Sequence, residues 1–290
     1  MGANGMIGHA LLRCLGHEFD TWGTVRSPRP PLELCRHFTA TERILTSTDL
    51  NDSASVFRVL DDVRPSVVVN CIGLTRQRDC RPDAYQQTNG YSAHWLARTV
   101  TDRGCRLIQL STDCVFSGES GCYRETDIPD AREAYGVSKL AGESSLDGVL
   151  TLRKSAVGLE IRAGKSLLEW LLSHRNGHIR TFEKVMFSGV TTATLADLTL
   201  QIIAERPTLG GLFHVAAPSI SKGVLLRRMI CEWKLRTTVI QDWDTSHDRT
   251  LNADAFFDRT GFARPSWDAM FEQLARDLQL YRYRHDLESV

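Results

Sequence analysis

A tyrosine and a lysine stand four residues apart in Tyr135-Gly136-Val137-Ser138-Lys139. On a helix that spacing puts both side chains on one face, one turn apart. A phenol beside an ammonium is a proton-transfer pair. The positive charge favours the phenolate and draws the tyrosine pKa down from about 10 toward neutrality. Many helices carry such a pair, so its meaning depends on what precedes it. Here a hydroxyl-rich stretch, Ser111-Thr112-Asp113, follows the apolar run 106–110, and a glycine series opens the chain.

Glycines 2, 5 and 8 form a Gly-x-x-Gly-x-x-Gly series leading into the helical pattern His9-Ala10-Leu11-Leu12-Arg13-Cys14-Leu15. Such a series permits a tight turn, close approach of backbone to a pyrophosphate, and close helix–strand packing, with phosphates over the helix N-terminus. A dinucleotide loop of this kind follows a β-strand, yet only Met1 precedes it here. The first strand, normally central in the sheet, is therefore expected to be missing from this sequence, through an upstream start or a truncation. Lost ladder hydrogen bonds and a lost apolar stripe predict poor stability unless another segment fills the gap. Soluble expression with cooperative unfolding would contradict that expectation.

The elements that must position these groups follow in order. Phe19 to Val25 reads as a strand ending in Arg26-Ser27. An acidic residue there would bind adenosine ribose hydroxyls; an arginine suits a 2′-phosphate, which points to NADPH over NADH. Ile44-Leu45 begins a short strand followed by Asp49-Leu50, where the aspartate either accepts from an adenine amino group or caps a helix over 51–60. Ser66 to Ile72 is a continuous β-rich run, the mark of a strand buried on both faces. Gly73 ends it, where backbone can approach a cofactor. A helix carrying Asn89 is expected over 82–100, a strand over 106–110 and another over 149–153. Alternating strands and helices predict a doubly wound parallel α/β sheet of Rossmann type. Ligands of such sheets bind at the carboxyl ends of the strands, where Arg26, Gly73 and Thr112 fall.

The 290 residues are enough for one domain plus a lobe, or two domains. With 35 basic and 35 acidic residues the formal net charge is zero, so neither nucleic acid nor an anionic membrane is expected as a partner. No apolar run approaches the roughly 20 residues of a membrane span, and no signal-peptide pattern opens the chain. Eight cysteines without a Cys-x-x-Cys pair read as the reduced thiols of a cytoplasmic protein. His94, His174, His178, His214 and His247 show no ligand spacing, and no metal is expected.

Taken together, Gly-x-x-Gly-x-x-Gly, Asn-Cys-Ile-Gly (70–73), Ser-Thr-Asp-Cys-Val-Phe-Ser-Gly (111–118), Glu-Thr-Asp-Ile-Pro (125–129), Tyr-Gly-Val-Ser-Lys (135–139) and Ala-Gly-Glu (141–143) resemble the extended short-chain dehydrogenase/reductases. Within them the chain is most similar to the dTDP-4-dehydrorhamnose reductase family. Phe187-Ser188-Gly189-Val190-Thr191-Thr192, His214-Val215-Ala216, Arg249-Thr250-Leu251 and Pro265-Ser266-Trp267 extend the resemblance over nearly the whole length.

The resemblance implies an NADPH-dependent reductase of a nucleotide-activated 4-keto-6-deoxy sugar, serving deoxysugar or surface-polysaccharide precursors. It implies Thr112, Tyr135 and Lys139 as the catalytic set. Tyr135 would protonate the carbonyl oxygen, Thr112 would hydrogen-bond it, and Lys139 would hold the nicotinamide ribose. Gly2, Asn4, Gly5, Met6 and Ile7 would cradle the pyrophosphate. Arg26 would take the 2′-phosphate, Asp49 and Leu50 the adenine, and Cys71, Ile72 and Gly73 the adenosine and ribose side. Cys114, Val115, Phe116 and Phe187 are its candidate substrate contacts. Residues 1–157 with 190–217 would form the NADP-binding domain, and 158–189 with 218–290 the substrate lobe. Large side chains of that lobe (Trp170, Phe182, Phe187, Trp233, Trp243, Trp267) are expected mostly in its core, with one or two free to stack on a base. Asn89 either bridges strand and helix or joins the chemistry. The resemblance allows a homodimer.

Two positions depart from the rhamnose enzymes. Cys114 stands where those carry a tyrosine, and Ala156 follows Ser155 where they carry a tryptophan. The sugar class is implied; the individual sugar is left open. A cysteine two residues after the catalytic threonine is the acid/base of GDP-fucose synthases, which epimerise and then reduce. Those enzymes also use a histidine after the sixth strand, where this chain has Gly158-Leu159-Glu160. Cys114 is thus either a pocket-lining thiol or the acid/base of an epimerase-reductase. A non-catalytic NADP-binding regulatory subunit, like that of methionine adenosyltransferase in the same family, is the third reading.

Overall fold

The computed structural model describes residues 1–38, 40–78, 80–161 and 164–281. In chain order it runs through α1 (Met6–Leu15), β1 (Gly23–Thr24), α2 (Leu32–Cys35), β2 (Ile44–Leu45), α3 (Ser53–Val63) and β3 (Val67–Asn70). Next come α4 (Pro82–Tyr85), a π-helical stretch (Gln86–Tyr91), α5 (Ser92–Thr101), β4 (Arg106–Leu110), α6 (Ala134–Ala141) and β5 (Val149–Lys154). Then follow β6 (Ala156–Val157), α7 (Leu167–Ser173), β7 (His178–Phe187), β8 (Val190–Thr191), α8 (Thr192–Glu205) and β9 (Gly211–Val215). The chain closes with β10 (Ile220–Ser221), α9 (Lys222–Glu232), β11 (Thr238–Asp248), α10 (Asp254–Thr260) and α11 (Trp267–Leu280).

The main sheet is all-parallel in the order β3-β4-β5-β9, with Val67 opposite Arg106, Leu107 opposite Val149 and Leu150 opposite Gly211. Successive strand residues face opposite sides. Leu107 joins Val56, Leu60, Leu96 and Val100 of α3 and α5 in one apolar cluster. Ile108 joins Leu11, Leu15, Leu195 and Ile202 of α1 and α8 in another. Helices on both faces are why these strands read as unbroken apolar runs rather than alternating ones. The expected doubly wound α/β sheet is present. A second sheet, β10-β7-β11, pairs β7 antiparallel to β10 and parallel to β11. Ile179 and Phe187 of β7 pack there with Leu225, Leu226 and Met229 of α9 and Leu168, Leu171 and Leu172 of α7.

Several expected elements change. The strand expected over 19–25 shrinks to Gly23–Thr24, paired among the described strands with β2 alone. No strand precedes α1 among the described residues, so nothing pairs with the other edge of β1 beyond the opening tripeptide. Met1 N donates to Val69 O (2.6 Å), Cys71 N donates to Met1 O (3.1 Å), and Ala3 N donates to Thr24 O (2.9 Å). Residues 1–3 thus span the top of a gap between β1 and β3. The helix over 82–100 is present but widens into a π-helix at Gln86–Tyr91. The cap of α3 is Asp52, whose side chain accepts from Ala54 N (3.1 Å), not Asp49. Asp49 instead accepts from Asn51 N (2.9 Å), a turn that precedes the helix. Among the described residues no helix is long and apolar enough to cross a membrane.

Candidate active site

Tyr135 and Lys139 lie on α6, as their spacing predicts, and α6 rests on the short turn 113–115 that follows β4. Glycine at 136 makes this possible: a Cβ there would collide with the Cys114 carbonyl. Any larger residue would lift Tyr135 away from Thr112. Thr112 begins the turn, its Oγ accepting from Cys114 N (3.2 Å) and donating to Asp113 (3.0 Å). Desolvation pushes the Tyr135 hydroxyl well above an ordinary phenol, and Cys114, Asp113 and Tyr85 add to the rise, while contact with the Thr112 hydroxyl works the other way. Thr112, Tyr135 and Lys139 are therefore brought together at the carboxyl end of β4.

The expected influence of lysine on tyrosine differs here. Lys139 is 7% exposed and its Nζ donates to the Leu110 carbonyl at 2.6 Å. The strongest charges on Tyr135 are Cys114 and Asp113, not Lys139. The lysine side chain outreaches one helical turn and ends on β4. Burial, reinforced by the neighbouring Lys154, lowers its pKa to about 8, against the pull of Glu143 and Cys71.

Two buried polar clamps hold α6. Asn89 Nδ2 donates to Ser138 Oγ (3.1 Å) and to Leu74 O (3.0 Å), and its Oδ1 accepts from Leu74 N (2.8 Å). Asn89 therefore bridges the loop after β3 to the catalytic-candidate helix. It projects from the π-helical stretch, where the wider turn offsets its side chain from the α-helical row. Glu143, just past α6, accepts from Arg153 Nε (2.9 Å) and Nη2 (2.8 Å) and from Ser111 Oγ (2.6 Å). Arg153 is 3% exposed and lies over the Phe116 ring at 5.2 Å. This ion pair ties the helix to β4 and β5 together.

The residues expected on the cofactor side share one rim. Gly2 has φ +79°, and a Cβ on it would press on Ile72 and on the Cys71 backbone at 2.9–3.2 Å. Asn4 and Gly5 are exposed, with Met6 and Ile7 half-buried in the first turn of α1. No side chain caps that helix, so its leading N–H groups are open to an anion. A Cβ on Gly73 would sit 3.2 Å from Asn89 Oδ1 and 3.8 Å from Lys139 Nζ, so the missing side chain keeps open the way to the lysine. Arg26 is exposed just beyond β1, without an ion-pair partner among the described residues. Leu50 is a core residue at 2% exposure, packed with Val56 and Val68. It contributes backbone, not side chain, to this rim. An open helix N-terminus, a glycine-lined path to a buried lysine and a guanidinium at a strand end together fit a nicotinamide dinucleotide.

The expected substrate contacts divide. Cys114 faces the site: Arg249 Nη1 donates to its Sγ at 3.5 Å. Burial and the adjacent Asp113 push the thiol up to about 11, against Arg249, so it stays protonated at neutral pH. Val115 and Phe116 have no exposed surface; Phe116 stacks on Tyr123 at 4.1 Å. Their backbone follows the site motif, but their side chains turn into the core under β4 and β5. They brace Cys114 instead of facing a ligand. Phe187 is likewise buried, 6.1 Å from Trp267. Of the lobe tryptophans, Trp233 is core and Trp243 is exposed on β11.

Sequence reasoning missed a charged layer around Cys114. Arg249 donates to Glu133 (3.2 Å), which also pairs with Arg76 (3.1 Å), over the start of α6. Lys154 and Lys222 feel both Asp113 and Cys114. The one available signal was Lys154, a charge at the end of an apolar strand pattern. The others come from separate parts of the chain.

Residues 1–249 match the model of the family described as the RmlD substrate binding domain. The chain is 30% identical over 247 residues to a probable low-salt glycan biosynthesis reductase, Agl14, of Haloferax volcanii, covering 80% of this chain and 78% of that protein. It is 35% identical over 228 residues to a dTDP-4-keto-6-deoxy-D-glucose reductase of Streptomyces niveus, covering 73% and 70%. It is also 33% identical over 237 residues to methionine adenosyltransferase 2 subunit beta of Mus musculus, covering 73% of this chain and 64% of that one. The fold matches that of a dTDP-4-dehydrorhamnose reductase of Bacillus anthracis solved with NADP, at a TM-score of 0.76 and 20% identity over 95% and 96% of the two chains. With this fold, these site motifs and a family match over most of its length, the chain belongs to the RmlD substrate-binding domain family of dTDP-4-dehydrorhamnose reductase-like proteins.

Proposed function

We propose that this protein reduces the keto group of a nucleotide-activated 4-keto-6-deoxy sugar with NADPH. The observation that carries the reading is the convergence of the Thr112 and Tyr135 hydroxyls with the buried Lys139 ammonium at the end of β4. When bound, the reduced nicotinamide supplies a hydride to the carbonyl carbon. Tyr135 gives its proton to the carbonyl oxygen, so the ketone becomes an alcohol. Its raised pKa keeps that proton in place until negative charge develops on the oxygen. Thr112 hydrogen-bonds the same oxygen and orients it. Lys139 holds the ribose hydroxyls. Arg26 takes the 2′-phosphate by charge-assisted hydrogen bonds. Gly2, Asn4, Gly5, Met6 and Ile7 receive the pyrophosphate, while Asp49, Leu50, Cys71, Ile72 and Gly73 border the adenosine and ribose. Residues 1–157 with 190–217 hold the cofactor, and 158–189 with 218–290 the sugar nucleotide.

The Agl14-like and Streptomyces reductase relatives support a sugar-nucleotide substrate, and the methionine adenosyltransferase subunit supports a regulatory alternative. One assay separates them. Purified protein is given NADPH and a panel of nucleotide-linked 4-keto sugars, and the 340 nm absorbance of NADPH is followed (roughly the reduced-nicotinamide band). Turnover with one member supports the reductase. Tight NADPH binding without turnover of any member supports the regulator.

A further inference from the structure

The segments that leave the carboxyl ends of β1 and β2 are locked together by backbone hydrogen bonds. Val25 N donates to Leu45 O (2.9 Å), Thr48 N to Val25 O (3.1 Å) and Ser47 N to Ser27 O (3.0 Å). Ser47 lies in the left-handed region at φ +51°, which turns the chain after β2 toward Ser27. The carbonyl of the same Ser47 accepts from Arg58 Nη2 (3.2 Å). Arg58 is on the solvent face of α3, whose Val56, Val59 and Leu60 are buried. Its guanidinium is therefore carried from the second turn of α3 to the rim where Ser27 follows Arg26. One serine, bonded on both sides, links the two arginines.

Arg26 and Arg58 are both exposed, and neither has an ion-pair partner among the described residues. The neighbouring carboxylates serve other groups. Asp49 accepts from Asn51 N, Asp52 accepts from Ala54 N, and Asp20 pairs with Arg43. Ser27 cannot donate to a ligand here, because its Oγ already donates to Arg29 O (2.6 Å). A phosphate monoester carries a charge of about −1.5 to −2 at neutral pH, so one guanidinium leaves it incompletely balanced. Ribose hydroxyls would call for neither arginine. The bond to Ser47 occupies one N–H of the Arg58 fork and fixes its direction, leaving the rest of the guanidinium to a ligand.

We propose that Arg58 is a second ligand of the 2′-phosphate and, with Arg26, sets the choice between the two nicotinamide dinucleotides. This role depends on the NADPH reading above, and it makes selectivity the property of two arginines on separate elements. Arg26 comes from the end of β1. Arg58 comes from α3 and is aimed by Ser47.

The test is calorimetric titration of the full chain with NADP+ and, separately, with NAD+, so no sugar substrate is needed. Arg58→Ala is expected to weaken NADP+ about 10- to 100-fold, as for loss of a charge-assisted hydrogen bond, and to leave NAD+ within about twofold. Arg58→Lys keeps the charge without the fork and should fall between the two. Arg29→Ala removes another exposed arginine of the same loop and should leave both affinities within about twofold. If Arg58 only braces the loop, Arg58→Ala weakens NADP+ and NAD+ alike, and the proposal is overturned. It is overturned too if Arg29→Ala and Arg58→Ala cost the same, which would make the effect one of general charge. Loss of NADP+ affinity in Arg26→Ala but not in Arg58→Ala overturns the role of Arg58 and leaves the NADPH reading standing. Equal affinity of the unaltered chain for NADP+ and NAD+ removes that reading and this role together.

Discussion

Lys139 Nζ lies 2.6 Å from the carbonyl oxygen of Leu110, so the ammonium of the Tyr–Lys pair is held by the end of β4 from inside the fold. Burial there lowers its pKa to about 8. If the charged form is the working one, kcat should fall as pH rises through about 8. Stability runs the opposite way. The unfolded lysine, at 10.5, binds a proton that the folded one has released between about 8 and 10.5, so this group's contribution to stability rises with pH across that window. Paired pH profiles of kcat and Tm check both signs. A kcat flat to pH 9.5 would remove the requirement for the ammonium.

The Glu143–Arg153 pair is buried and shared with Ser111. Glu143→Gln leaves Arg153 charged inside the protein, and its Nη1 already lacks a hydrogen-bond partner. A loss of about 3–5 kcal/mol is expected, read as a Tm lower by roughly 10 °C. A loss under 1 kcal/mol, of the order of an exposed pair, would show that the clamp does not hold α6.

Arg26 is exposed and has no ion-pair partner among the described residues, and a 2′-phosphate is the one group of NADPH that NADH lacks. Arg26→Ala should raise KM for NADPH about 10- to 100-fold, the worth of a charge-assisted contact, while leaving KM for NADH within about twofold. Equal changes for both cofactors would place Arg26 outside the phosphate site.

The thiol of Cys114, held protonated, can serve as an acid or merely line the pocket. Cys114→Ser separates these. An epimerase-reductase would lose solvent-deuterium incorporation beside the ketone, yet keep ketone reduction. A pocket-lining thiol would show no such incorporation in either form, and the serine variant would reduce ketone at a similar rate.

Local spacing made much of this legible. Tyr135 and Lys139 are fixed relative to each other by one helical turn, and the apolar runs around Val68, Ile108 and Leu150 announce a sheet buried on both faces. What stayed hidden depends on distant segments. Nothing in the sequence near Glu133 says that Arg76 and Arg249 meet over it. The π-helical stretch at Gln86–Tyr91 has no composition of its own, and Asp49 and Asp52 are equally good caps until the helix start is known. Val115 and Phe116 misled because a strand-end turn sends neighbouring side chains in opposite directions: Cys114 toward the site, the next two into the core. The strand at Phe19–Val25 came out short because a strand needs neighbours, and on one edge β1 has none beyond Met1–Ala3 among the described residues.

The most direct measurement is NADPH oxidation with a nucleotide-linked 4-keto-6-deoxy sugar by the unaltered chain and by Tyr135→Phe, with cofactor binding measured in parallel. The phenylalanine keeps the ring and loses the proton donor. The account predicts turnover by the unaltered chain, a kcat lower by about 10²- to 10⁴-fold in the variant, and NADPH affinity unchanged within about threefold. Equal rates in the two forms would contradict it.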